Sequence, residues 1–192
     1  MKAAAKQIAL STLAKRITTC RACALCEAAT QAVPGEGNPD ADVLIIGEGP
    51  GKAEDLSGRP FVGRAGKLLD EMIESIGWQR TDVFIANVVK HRPPDNRDPL
   101  PTEVQACWKF LAQQIEIIQP RLIVTLGRHS MHRFLPDFKI STAHGQPVRR
   151  KDGRVFLPLY HPAAALYSPS QKEVHFADFA KIPAILKKLS QK

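Results

Sequence analysis

The chain has 192 residues, enough for one domain with a substantial buried core. Apolar residues make up 44% and charged residues 24%, and no apolar run approaches the roughly 20 residues a bilayer-spanning helix needs. Lysine and arginine outnumber aspartate and glutamate by 27 to 19, a surface that suits a polyanionic partner but also an ordinary basic protein.

The first segment, "MKAAAKQIALSTLAKR", is amphipathic, with Ile8, Leu10 and Leu13 among lysines, and reads as a helix. It lacks the unbroken apolar stretch of a signal peptide, so the expected compartment is the cytoplasm. Three of the four cysteines follow at once in "CRACALC" (Cys20, Cys23, Cys26), and the fourth is Cys107. In a cytoplasmic chain such spacing favours a metal or iron–sulfur site over a disulfide framework.

Four nearly continuous apolar runs read as strands covered on both faces: 42–47, 82–89, 121–127 and 154–160. Between them the 66–77 segment places Leu68, Leu69, Met72, Ile73 and Ile76 on one helical face, closed by Gly77. The 101–120 segment reads as a helix capped by Thr102 and stopped before Pro120. A short helix follows Gly127, and a last helix over 172–189 is broken near Pro183. Strand–helix alternation predicts an α/β fold, a three-layer αβα sandwich around a mainly parallel four-stranded sheet. The whole chain, 1–192, reads as one unit whose first 30 residues hold the N-terminal helix and the cysteine segment.

In such sheets ligands gather at the carboxyl ends of the strands. There lie "GEGPGKAED" after the first strand, Asn87 near the end of the second, "GRHS" after the third and His161 after the fourth. The first loop is not a phosphate loop: three residues, not four, separate Gly47 from Gly51, and Ala53 follows Lys52 where a magnesium-binding hydroxyl is required. It also fails the dinucleotide fingerprint, because Lys52 occupies the third glycine position. What remains is a tight turn that exposes Glu48 and backbone N–H groups. Phe61, in the glycine-flanked loop "SGRPFVGRAG", is either a stacking platform for a base or a plain anchor of that loop. "ANVVKHRPPDNRDPLP" carries arginines on a proline-stiffened loop, suited to phosphate contacts or to a bare surface connection.

Together "GEGPGKAED", "GRPFVGRAG", "NVVKHRPPDNRDPLPTE" and "HPAA" resemble the uracil-DNA glycosylase superfamily, most closely its family 4, the iron–sulfur enzymes. The resemblance covers about residues 18 to 180. It implies a DNA-repair hydrolase that acts on uracil-containing DNA, flips the base out, cleaves its N-glycosidic bond and so starts base excision repair. By motif, His161 would donate to the uracil oxygen, Glu48 would position water or offset charge on the sugar, and Asn87 would bond the polar edge of uracil. Phe61 would stack on the base, Gly49 N–H would hold a uracil oxygen, and Glu54 would fill the space of a thymine methyl. Asn96 would lie near the sugar or water, and Leu166 or Tyr167 would wedge into the duplex.

The resemblance also implies a structural [4Fe–4S] cluster on four cysteines. Cys20, Cys23 and Cys107 match, but the remaining position is His91, sixteen residues before Cys107 as in the family. His91 is therefore the expected fourth ligand, with Cys26 its competitor and zinc the other metal that accepts such a set. A related crosslinking group also has histidine here, but with an inserted basic loop that this chain lacks, so turnover is expected and not a covalent adduct. Tyr167 stands where the family often has arginine, and His144–Gly145 where it often has Arg–Gly. A DNA-binding protein of this fold without turnover, and a glycosylase of broader deaminated-base range, are the alternatives. A monomer without membrane attachment is expected.

Overall fold

The computed structural model describes residues 2–166 and 168–191, and within them ten helices surround a single six-stranded sheet. In chain order these are α1 (Ala3–Thr18), α2 (Leu25–Ala28), β1 (Glu36–Gly37), β2 (Val43–Gly47), α3 (Lys52–Ser57), α4 (Arg64–Ser75) and β3 (Phe84–Asn87). There follow α5 (Pro101–Ile118), β4 (Leu122–Leu126), α6 (Arg128–His132), α7 (Ile140–Ala143), β5 (Val148–Arg149) and β6 (Val155–Leu159). The chain closes with α8 (Pro162–Ala165), α9 (Pro169–Phe179) and α10 (Ile182–Ser190).

The sheet order is β1-β3-β2-β4-β6-β5. The four expected strands form its parallel centre, and the two-residue strands β1 and β5 add antiparallel edges that a four-stranded reading omits. Two residues are too few to carry a periodic signal, which is why the sequence hides them.

Alternation along the central strands builds the three layers. Leu44, Ile46, Ala86 and Ile123 face one way, onto Leu10, Leu13 and Ile17 of α1 and Phe110, Leu111 and Ile115 of α5. Val43, Ile45, Ile85 and Val124 face the other way, onto Leu68, Leu69, Met72 and Ile73 of α4 and Phe179, Ile182 and Leu186 of the last two helices. Every residue of β2, β3, β4 and β6 is buried, as a sheet covered on both faces requires. No helix among the described residues is long and apolar enough to cross a membrane.

Two local expectations change, and a third, the break of the last helix near Pro183, is met. Ile8 is 68% exposed, because the buried stripe of α1 is Lys6, Leu10, Leu13 and Ile17. Lys6 enters that stripe by giving its ammonium to the Ile118 carbonyl and to Asp40. Thr102 does not cap α5: Pro101 takes the first helical position, and Glu103 reaches back to the Leu100 N–H at 2.7 Å. The last helix breaks at Ala180–Lys181, and Pro183 falls in the first turn of α10, where its missing N–H costs nothing.

Candidate active site

The carboxyl ends of β2, β3 and β6 open into one cleft of about 350 Å³, lined by Glu48, Gly49, Glu54, Phe61, Asn87, Asn96 and His161 among others. Seven of the eight predicted catalytic and substrate-binding residues thus meet in one place. Leu166 stands apart, in a neighbouring groove with Arg64, Lys67, Leu68 and Lys172, and Tyr167, its alternative, lies outside the described residues.

Gly47 forms the floor. It pairs with Asn87 across β2 and β3, and a Cβ here would stand 2.4 Å from Asn87 Oδ1 and 2.5 Å from the Phe61 ring. The parallel pairing runs on past the strands, with Val89 N–H donating to the Glu48 carbonyl at 3.0 Å, so the turn that carries Glu48 is rigid. Asn87 is 1% exposed, and its Oδ1 has no hydrogen-bond partner among the described residues. Such a group costs free energy until a ligand meets it.

Burial raises the Glu48 carboxyl to about 7; the nearby Asp98 charge adds to this, and Arg128 opposes it. Glu48, Asp98 and His129 bring one oxygen or nitrogen each within 4.8 Å of one another. Arg128 forks between the last two, donating Nε to His129 Nε2 at 2.9 Å and Nη2 to Asp98 at 3.3 Å. His161 is lowered to about 4, first by burial and then by the charge of His175, with Glu54 opposing. Its Nδ1 accepts the Ala163 N–H at 3.2 Å, which leaves the proton on Nε2. At neutral pH it is therefore a neutral donor.

Several holding contacts escaped the sequence reading, two of them at residues it had named for other roles. Glu54 is a staple: its Oε1 accepts from Val62 and Gly63 N–H at 2.9 Å each, and its Oε2 from Gly51 N–H at 3.1 Å. It joins the glycine turn to the loop of Phe61. That loop is strained, since Phe61 sits at φ 51° with its ring 5.8 Å from that of His161. Arg80 holds it by bonding the Pro60 and Phe61 carbonyls while pairing with Glu36 and Asp70. Lys90, wholly buried, donates to the Asn87 carbonyl at 2.8 Å and to Gln114 at 2.7 Å, and burial pulls its ammonium down to about 8. Asn96, at φ 54°, accepts from Arg92 Nε at 2.8 Å on the cleft's exposed lip. Backbone hydrogen bonds and ion pairs of this kind join segments distant in sequence and leave no motif. Only the adjacency of Lys90 to Asn87 in "NVVK" was a readable signal.

A second group of residues lies behind the cleft. All four cysteines are free thiols. Cys20 and Cys23 pack against the core cluster that contains Cys107, and Cys107 is within electrostatic reach of both. Burial raises the Cys107 and Cys23 thiols. Lys90 N–H donates to Cys107 Sγ at 3.3 Å. His91 is 4% exposed and lowered first by burial and then by Arg21, so its imidazole is neutral. Cys26, on α2, neighbours Cys23.

An αβα sandwich with a strand-end cleft of base-like size defines the class to which comparison with known proteins also leads. Residues 34–184 match the family model described as the uracil DNA glycosylase superfamily, and the chain belongs to that family. Among its relatives is a type-4 uracil-DNA glycosylase of Sulfurisphaera tokodaii, 46% identical over 90% of this chain and 83% of the relative. The type-4 enzyme of Archaeoglobus fulgidus is 44% identical over 90% and 91%, and that of Thermotoga maritima 43% over 92% and 94%. A type-5 enzyme of Thermus thermophilus is more distant, at 29% over 67% and 68%.

Proposed function

We propose that this chain is a uracil-DNA glycosylase of the type-4 kind, which hydrolyses the N-glycosidic bond of deoxyuridine in DNA and leaves free uracil and an abasic site. The observation that carries the reading is one cleft holding a neutral imidazole donor, an unpartnered buried amide and a carboxyl group raised to about 7. Its volume suits a single flipped base. As the bond breaks, negative charge grows on the uracil O2 and positive charge on the sugar. His161 Nε2–H stabilises the first, and Glu48, once ionised, offsets the second or orients the attacking water beside Asp98 and His129. Asn87 reads the N3–H/O4 edge of uracil, where the cytosine pattern is reversed. Phe61 stacks on the base, Gly49 N–H holds an oxygen, and Glu54 crowds the C5 position from its stapled place. Asn96 lies near the sugar, and Leu166 is the wedge.

The residues behind the cleft fit a [4Fe–4S] cluster held by Cys20, Cys23, Cys107 and His91: three thiols converge in an apolar setting, one sulfur already accepts a backbone N–H, and the histidine is neutral. When bound, the cluster supplies no bond-making step and ties the N-terminal segment to the loop after β3. The enzyme is in this reading a cytoplasmic monomer, residues 1–192 forming one glycosylase unit.

The test is cleavage of labelled oligonucleotides carrying uracil, thymine, hypoxanthine or cytosine. Uracil is expected to be released with turnover and without a denaturation-resistant protein–DNA band. Glu48→Ala, Asn87→Ala and His161→Ala should each lose about 100-fold or more in rate while DNA binding persists. Full activity in all three would remove the assignment.

A further inference from the structure

Behind the His161–Pro162 turn, helix α9 carries a second histidine, His175, which is 3% exposed. Its two ring nitrogens both face carbonyl oxygens: Nδ1 lies 2.6 Å from the Gln171 oxygen and Nε2 lies 3.1 Å from that of His161. A carbonyl only accepts, and a neutral imidazole has a single N–H. With its proton on Nε2, the ring donates to the His161 carbonyl. The His161 oxygen is itself saturated, since it also accepts the Ala164 N–H at 2.9 Å.

We propose that His175 is a positioning residue for the glycosylase reaction, its Nε2–H tying α9 to the His161 carbonyl and so fixing the direction of the His161 donor. The proposal rests on the reading of His161 as the leaving-group donor. His161 has its Nδ1 held by Ala163 N–H from one side and its carbonyl held by His175 from the other, so the ring is gripped at both ends of the residue. The other charged or titratable groups nearby are already engaged. Tyr160 places its ring 5.8 Å from His175 and 4.4 Å from His144, and Asp178 on α9 is paired with His144 and Lys181. From α3, the Glu54 charge favours protonation of His161.

The experiment compares His175→Phe, which keeps a ring and removes the donor, with His175→Gln, which restores an N–H. In the phenylalanine variant kcat on uracil-DNA should fall about 10-fold, with KM within about twofold, and glutamine should recover most of the loss. Nitrogen-15 spectra of the unaltered enzyme should show a proton on His175 Nε2 and His161 protonated at Nε2 alone. A phenylalanine variant with unchanged kcat, a glutamine variant no better than phenylalanine, or a His175 ring without a proton on Nε2 would each overturn the proposal. His161→Ala separates the two readings: if it stays active the donor assignment fails, whereas an inactive His161→Ala beside a fully active His175→Phe removes only the role of His175.

Discussion

Glu48 and His161 are both neutral where their free side chains would be charged, and this has opposite consequences for stability. Glu48 is raised from 4.5 to about 7, so the folded state binds the extra proton between those values. Its contribution to stability is fully present below 4.5 and is lost as pH rises through about 7. His161 is depressed from 6.5 to about 4, so stability is full above 6.5 and declines as pH falls towards 4. An ionised Glu48 in the cleft is therefore obtained at the expense of stability. Uracil release should rise along an acid limb centred near 7, and Glu48→Gln should abolish that limb at a much lower rate. The same variant should melt at a higher temperature than the unaltered enzyme at pH 8 and at nearly the same temperature at pH 4.5. An acid limb that survives in Glu48→Gln would mean that another group is titrating.

The strand ends set the cleft's floor, and the loops above them set its walls. A methyl at Gly47 meets the Asn87 amide and the Phe61 ring, neither of which can retreat. Gly47→Ala should therefore lose about 100-fold in uracil release and also melt at a lower temperature, by about 1–3 kcal/mol of overpacking, with circular dichroism retained. The Phe61 loop depends on Glu54, whose carboxylate answers three backbone N–H groups. Glu54→Gln turns one of those oxygens into a donor facing a donor and should cost about 1–3 kcal/mol by denaturant melt. Gly66 serves the same loop, since a Cβ there would stand 1.9 Å from the Phe61 carbonyl.

Across the whole molecule, one chain of contacts links the cysteine site to the cleft: Cys107 accepts from Lys90 N–H, and the Lys90 ammonium bonds the Asn87 carbonyl. On the proposed reading that these residues hold a cluster, its removal should loosen Asn87 and lower stability together. His91→Ala should bind less iron and melt lower, by about 2–4 °C for each kcal/mol lost, whereas Cys26→Ala should keep its iron. Iron retained in His91→Ala and lost in Cys26→Ala would reverse the ligand assignment. The net charge of +8 suits binding to a polyanion, so affinity for DNA should fall with salt in all these variants alike.

Periodicity determined the four central strands and the long helices α4 and α5 between them, because a strand buried on both faces cannot be written in other residues. Contiguous motifs singled out Glu48, Phe61, Asn87 and His161, which the fold brings to one cleft at the strand ends. The edge strands were too short to read, and the caps and breaks of α5 and the last two helices turned on single prolines. Only the tertiary structure decided that Asn87 Oδ1 is left without a partner, that Glu54 and Arg80 hold the Phe61 loop, and that Glu48 is raised while His161 is lowered. It also decided that His175 stands behind His161, fourteen residues further along the chain. These properties depend on burial and on the convergence of distant segments, neither of which is written in local sequence.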